Sequence, residues 1–164
     1  PIRTGGPVCR CAAACMETGD WLMAYWLFKS EPDTFGWADL VARGAQGEEW
    51  NGVRNYQARN NMRQMQLGER GFFYHSRMGL EIVGVVEVSA ECHPDSTAGD
   101  LRWECVDLRA VQPMPRAVPL AEIKAQPELA NMALVRFPRL SVQPVSAEEW
   151  AMLCRMGGLP HGDL

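Results

Sequence analysis

The run Trp50-Asn51-Gly52-Val53-Arg54-Asn55-Tyr56-Gln57-Ala58-Arg59-Asn60 gathers the groups a nucleotide reader needs. Its aromatics offer stacking surface, its arginines charged forks and its asparagines amide edges. Asn51-Gly52 is a turn signal, and the residues after it read as a helix. The polar groups therefore sit at the mouth of a helix, where backbone N–H groups are free to meet anions. Trp50, on the loop edge, is either a core plug or one wall of a stacking slot. Stacking a base on such a ring is worth ~1–3 kcal/mol. Arg54 either forks onto a phosphate or carboxylate or makes a surface ion pair. Asn55 is the expected N-cap, a structural duty that competes with any ligand role. Arg59 and Arg63 stand four apart, so with Arg54 they form a basic stripe along a groove or a solvated face.

Two further clusters bear on chemistry. In Lys29-Ser30-Glu31-Pro32, Pro32 keeps Glu31 out of helical geometry and leaves Lys29 and Ser30 at a strand end. Tyr74-His75-Ser76 ends another strand, where neighbours point to opposite faces, so His75 and Ser76 make a poor base–nucleophile pair. His93 and His161 have no ligand spacing to His75. Cys9, Cys11 and Cys15 lack a nearby fourth metal ligand, and Cys92, Cys105 and Cys154 read as small core residues in a reducing compartment. There is no dinucleotide fingerprint, P-loop or nucleophile elbow. The expectation is a binding protein, not an enzyme, with no cofactor and no metal.

The chain has 164 residues, 47% of them hydrophobic, enough for one domain with a single core. Its net charge is −4, from 16 Lys+Arg against 20 Asp+Glu, and this argues against a general nucleic-acid coat. Only Lys29 and Lys124 are lysines. No apolar run is long enough for a membrane span, so a cytoplasmic monomer without membrane contact is expected. Residues 1–22 are rich in Gly, Pro, Ala and Cys without period. They read as a disordered or non-native extension, with Met23 as the natural start, a domain over 23–157 and a tail over 158–164.

The elements that must position these residues alternate. Strands are expected near 24–29, 71–75, 82–88, 101–111 and 140–145. Helices are expected near 36–43, 56–66 and 120–125, with Pro113, Pro115 and Pro119 breaking the path to the last of these. Ala58, Met62 and Met65 lie on one helical face. Ser146 and Glu149 form a capping box for a final helix, and Val145 and Trp150 form a hydrophobic staple. The pattern is an α+β domain built on a small mixed β-barrel of about five to six strands with short helices.

Tyr25-Trp26-Leu27-Phe28-Lys29-Ser30-Glu31-Pro32, the Trp50–Asn60 run, Phe72-Phe73-Tyr74-His75-Ser76 and Arg139-Leu140-Ser141-Val142-Gln143-Pro144 together resemble the EVE domain family. The resemblance covers about residues 23–156. It implies a PUA-like fold, kinship with YTH and ASCH domains, and a reader of modified nucleobases. The leading ligand candidates are 5-methylcytosine and 5-hydroxymethylcytosine in DNA. An RNA-binding module for modified tRNA or rRNA is the alternative, and a nucleotide-processing enzyme a more distant one. The family motif falls on Trp26, Lys29, Ser30, Trp50, Asn51, Gly52, Val53, Arg54, Asn55, Tyr56, Tyr74, His75 and Ser76, with Arg139, Leu140 and Ser141 closing the pocket. In this reading a base stacks against Trp50, with Trp26 or Tyr74 beside it. Lys29, Arg54 and Arg59 hold flanking phosphates.

Overall fold

The computed structural model describes residues 24–159. The readings of 1–22, of Met23, of Cys9, Cys11 and Cys15, of His161 and of the tail beyond Leu159 lie outside the described residues. Among the described residues there are six strands: β1 (Tyr25–Ser30), β2 (Glu48–Glu49), β3 (Arg70–His75), β4 (Glu81–Pro94), β5 (Glu104–Pro119) and β6 (Val142–Val145). The α-helices are α1 (Trp37–Ala42), α2 (Tyr56–Arg63), α3 (Leu120–Ala125), α4 (Ala133–Arg136) and α5 (Ala147–Met156).

The strands form one sheet in the order β2-β5-β4-β3-β1-β6. β1 runs parallel to β3 and every other pairing is antiparallel. Parallel neighbours need a crossover. Here the crossover carries α1, β2 and α2, so the Trp50–Asn60 run lies on the connection that the parallel pair demands. β2 and β6 are the two edges of the sheet and do not pair with each other. "Barrel" therefore fits this mixed α+β sheet only loosely.

Strand alternation divides the core into two. Leu27, Phe72, Ile82 and Val145 face the side covered by α3, α4 and α5, in one cluster with Trp150 and Leu153. Phe28, Phe73, Val86 and Val142 face the other side, with Trp50 and with Ala58 and Met62 of α2. Trp150 stacks on Tyr25 at 4.3 Å and on Phe72 at 4.1 Å. The Ser146–Glu149 capping box is formed as expected, and Val145 and Trp150 are buried in one cluster. Gly84 gives the sheet room for α1, since a Cβ there would lie 2.4 Å from the Trp37 ring.

The long strands correct the expected boundaries. β5 continues through Pro113 and Pro115 to Pro119 instead of breaking there. Beyond Leu108 no strand among the described residues pairs with its outer side, since β2 meets only Leu108 and Asp107, and the Arg116 N–H donates instead to the Gly157 carbonyl at 3.0 Å. Proline is tolerated on such an edge, and β4 and β5 absorb the irregular spacing by repeated register shifts. β4 also runs to Pro94, past the expected Val88. α2 stops at Arg63, with Gln64 as C-cap, instead of reaching Gln66. β6 begins at Val142 and not at Leu140. The two-residue β2 and the four-residue α4 carry no periodicity long enough to read from sequence.

Candidate functional site

A cavity of about 550 Å³ opens where the β1–α1 turn, β2 and the loop leading to α2 converge. Of the residues singled out in the sequence, Lys29, Ser30, Trp50, Asn51, Gly52, Val53, Arg54 and Ser141 line it. Glu31, Thr34, Phe35, Glu48 and Glu49 complete the lining.

The loop that forms one wall is fixed by Asp95 across 43 residues of chain. Its Oδ2 accepts from the Gly52 N–H at 2.8 Å and from Arg54 Nη1 at 3.0 Å. Its Oδ1 accepts from the Thr97 N–H and hydroxyl. The Asp95 side chain is 1% exposed. Burial acts to raise its pKa, but the bonds from Thr97, Gly52 and Arg54 outweigh burial and hold it at about 2. Gly52 sits at φ +81°, a left-handed turn geometry that suits glycine. Arg54 is thus ion-paired on one side while 40% of its side chain stays exposed.

Trp50 lies mainly in the core. It is 7% exposed and makes edge contacts with Phe28 and Phe73, each at 5.7 Å, and with Phe35 at 6.3 Å. Its rim lines the cavity, and little open ring is left for a full base stack. The half-buried Phe35 stands beside it. The Ser30 hydroxyl donates to the Phe35 carbonyl at 2.5 Å and fixes that turn. Lys29 Nζ donates to the Pro138 carbonyl at 2.6 Å and lies 5.9 Å from the Tyr74 ring centre. Burial lowers the Lys29 pKa.

The other singled-out residues stand apart from the cavity. Trp26 is buried and donates from Nε1 to Glu69 at 3.0 Å. Tyr74 is 2% exposed and belongs to the opposite core cluster; burial raises its pKa to about 12. Neither ring is placed to stack a base in the cavity. His75 Nε2 accepts from the Trp37 N–H at 3.1 Å, and burial lowers its pKa against the pull of Glu81. Ser76 follows the end of β3, its N–H bonded to the Ser30 carbonyl. Asn55 serves as N-cap, its side chain accepting from the Ala58 N–H at 2.9 Å. Arg139 is exposed and Leu140 half-buried, and neither lines the cavity.

Beside the cavity, Tyr56 stacks on Trp103 at 4.9 Å. Arg59 lies over the Tyr56 ring at 4.9 Å and Arg54 over the Trp103 ring at 5.6 Å. Arg63, the third arginine of the expected stripe or solvated face, is ion-paired with Glu104 at 2.5 Å and its side chain is 45% exposed, which fits the solvated face.

Glu49, His93 and Cys105 bring potential metal-binding atoms within 4.8 Å of one another. His93, however, places Nε2 2.8 Å from Asp107 and Nδ1 3.1 Å from the Pro94 carbonyl. Two acceptors favour a doubly protonated ring, which has no lone pair for a metal. Burial alone would lower the His93 pKa; the bonds to Asp107 and Pro94 outweigh it and raise it. Burial also raises the Cys105 thiol. As the group stands, His93 pairs with Asp107 and Glu49 accepts from the Ser96 N–H and hydroxyl.

Phe35 lies three residues beyond Pro32 of the turn that the sequence marks, so its position is the signal that could have found it. Nothing short-range marks Asp95, Trp103 or the Glu48–Glu49 pair, which meet the site only through the pairing of β2 with β5 and the β4–β5 connection.

No helix among the described residues is long and apolar enough to cross a membrane. The EVE domain family matches residues 24–156. Human thymocyte nuclear protein 1 is 37% identical over 161 residues, covering 79% of this chain and 72% of that protein. The crystal structure of an Agrobacterium tumefaciens protein is 60% identical with a TM-score of 0.83, covering 84% of this chain and 95% of that one. The human THYN1 protein, solved in complex with DNA containing 5-methylcytosine, is 35% identical with a TM-score of 0.75, covering 84% of this chain and 99% of that one. A family match over nearly every described residue, with relatives of this identity and coverage, means that the chain belongs to the EVE domain family.

Proposed function

We propose that this chain is a binding module, not an enzyme, that takes one modified nucleobase into the cavity beside Trp50. The ligand we favour is 5-methylcytosine or 5-hydroxymethylcytosine in DNA. The observation that carries this reading is the cavity's lining: apolar walls at Phe35, Val53 and Trp50, an exposed amide at Asn51, and carboxylates at Glu31, Glu48 and Glu49. Its volume of about 550 Å³ suits a small ligand. The human relative bound to 5-methylcytosine DNA supports the ligand class.

The charges sort the nucleotide. Carboxylates lining the cavity repel a phosphate and accept from an exocyclic amine such as the cytosine N4 group. Arg54, its side chain 40% exposed, and Lys29 are the cations among the lining residues, so the phosphate stays beside them while the base enters. The base rests on Phe35 and the open margin of Trp50, with Asn51 and Ser141 at its edges. Lys29, with one ammonium donor on the Pro138 carbonyl, keeps two for a phosphate oxygen. Burying one methyl contributes only ~0.8 kcal/mol, about a fourfold preference. Stronger discrimination requires that the modified base also keep all its hydrogen bonds.

Fluorescence anisotropy tests this, with short DNA and RNA strands, single and double, carrying cytosine, 5-methylcytosine, 5-hydroxymethylcytosine or N6-methyladenine. Wild type should prefer a modified cytosine at least fourfold. Thr34→Trp, which fills the cavity mouth, and Asn51→Ala should abolish or reduce that preference without lowering the melting temperature by more than a few degrees. Equal binding to all bases would sink the reading. Preference for a modified RNA would move the ligand to the RNA alternative.

A further inference from the structure

Tyr56 and Trp103 form a stacked pair outside the cavity, and guanidinium groups lie over both rings. A guanidinium lying over a ring uses its face and leaves in-plane N–H groups directed outward. Arg59 is held in place by the Arg102 carbonyl on Nη1 at 2.9 Å and by Asn60 Oδ1 on Nη2 at 2.8 Å and Nε at 3.3 Å; this leaves one N–H on each terminal nitrogen, and no carboxylate among the described residues pairs with it. Arg102 adds a third guanidinium, bonded to the Tyr56 hydroxyl at 3.4 Å and to Asp100 at 2.7 Å. Tyr56 is 51% exposed, so the assembly faces solvent. Arg54 belongs both to this assembly and to the cavity lining, which makes the two surfaces continuous.

We propose that the Arg54–Trp103–Tyr56–Arg59 ladder, with Arg102 beside it, is a track for the phosphodiester backbone that leaves the cavity. This rests on the base-reader reading and extends it: the ligand is a strand, held by phosphates next to the inserted base, and not a free nucleoside. The occupied ring faces argue against further base stacking on the ladder. Tyr56 and Trp103 are positioning residues that hold the guanidiniums in register. Fixed donors lose less side-chain freedom on binding than mobile ones. The contacts carry no base information, so the track raises affinity for modified and unmodified strands alike.

The test compares wild type, Arg59→Gln/Arg102→Gln and Trp103→Ala with the surface control Arg155→Gln. Short DNA and RNA strands carrying cytosine or 5-methylcytosine are titrated at several salt concentrations. The double variant should bind both strands about tenfold more weakly at low salt, with the modified-to-unmodified ratio kept. Its salt slope should fall by roughly 1.5, as two lost phosphate contacts require. Trp103→Ala should reproduce part of the loss with both arginines present, and Arg155→Gln should bind as wild type does. Unchanged affinity and slope in the double variant, with base preference intact in wild type, would overturn the track and leave the base reading standing. A reduced slope where wild type shows no base preference would keep the track and remove the base reading. No strand binding by wild type removes both.

Discussion

Asp95 receives bonds from Gly52, Thr97 and Arg54 while almost wholly buried, and this sets both the shape of the site loop and its response to acid. Its folded pKa of about 2 lies below the ordinary 3.8. A depressed carboxylate contributes stability that is fully present above the unfolded value and is lost as pH falls through the folded one. For this group the window runs from about pH 4 down to pH 2, and the contribution is about 2 kcal/mol. Asp95→Asn should therefore lower stability at neutral pH and flatten the acid limb of a urea-midpoint-versus-pH profile within that window. It should also free Arg54 and Gly52 together and weaken strand binding severalfold. A profile that keeps the wild-type acid limb would show that Asp95 does not carry this dependence. Trp50 makes the complementary point. The sequence leaves it as core plug or slot wall, and its packing against three phenylalanines makes it mostly the former, with only a margin facing the cavity.

Helix N-caps give two elements of similar local chemistry and different consequence. Asn55 caps α2 and Ser146 caps α5, each through a side-chain oxygen that accepts from a backbone N–H. Replacing either with alanine should cost ~1 kcal/mol in urea unfolding. Only Asn55→Ala should weaken strand binding, because α2 carries Tyr56 and Arg59 while α5 packs on the opposite side of the sheet. Equal binding losses in the two variants would mean that the caps act through global stability alone. Both caps were legible because capping is local: the partners lie three residues apart. β1 and β3 were legible as short continuous apolar runs and α2 by the helical spacing of Ala58, Met62 and Met65, since both signals need only neighbours. The ends of β4 and β5 were not. Register shifts break the alternation, and whether Pro113 ends a strand depends on what pairs with its outer edge, a property of the sheet. The site divides in the same way. The Trp50 loop announced itself through composition, whereas Asp95 and Trp103 reach it by tertiary routes of 40 residues or more. Trp26 and Tyr74 looked like stacking surfaces until strand pairing turned them into buried contacts away from the cavity.

At the scale of the whole molecule, the sheet is a partition. One side packs Trp150 and Leu153 of α5 against Leu27 and Phe72; the other packs Phe28 and Phe73 beneath Trp50 and the cavity. Interiors this dense transmit a change in shape to their direct neighbours, so a defect on one side should reach the site far more readily than a defect on the other. Leu153 and Phe28 are both fully buried, which makes the comparison fair. Leu153→Ala removes most of a side chain and should cost ~2–5 kcal/mol. Phe28→Leu keeps an apolar group of reduced size and should cost less, about 1 kcal/mol. Binding should rank them the other way. Under conditions where both variants are folded, Leu153→Ala should keep wild-type affinity and base preference. Phe28→Leu should lose part of the modified-base preference, because Trp50 loses an edge contact and the cavity wall can shift. Urea unfolding paired with anisotropy on the same samples measures both quantities. If loss of binding instead tracks loss of stability in order and size, the two faces are not independent, and the site depends on the whole core rather than on the face that bears it.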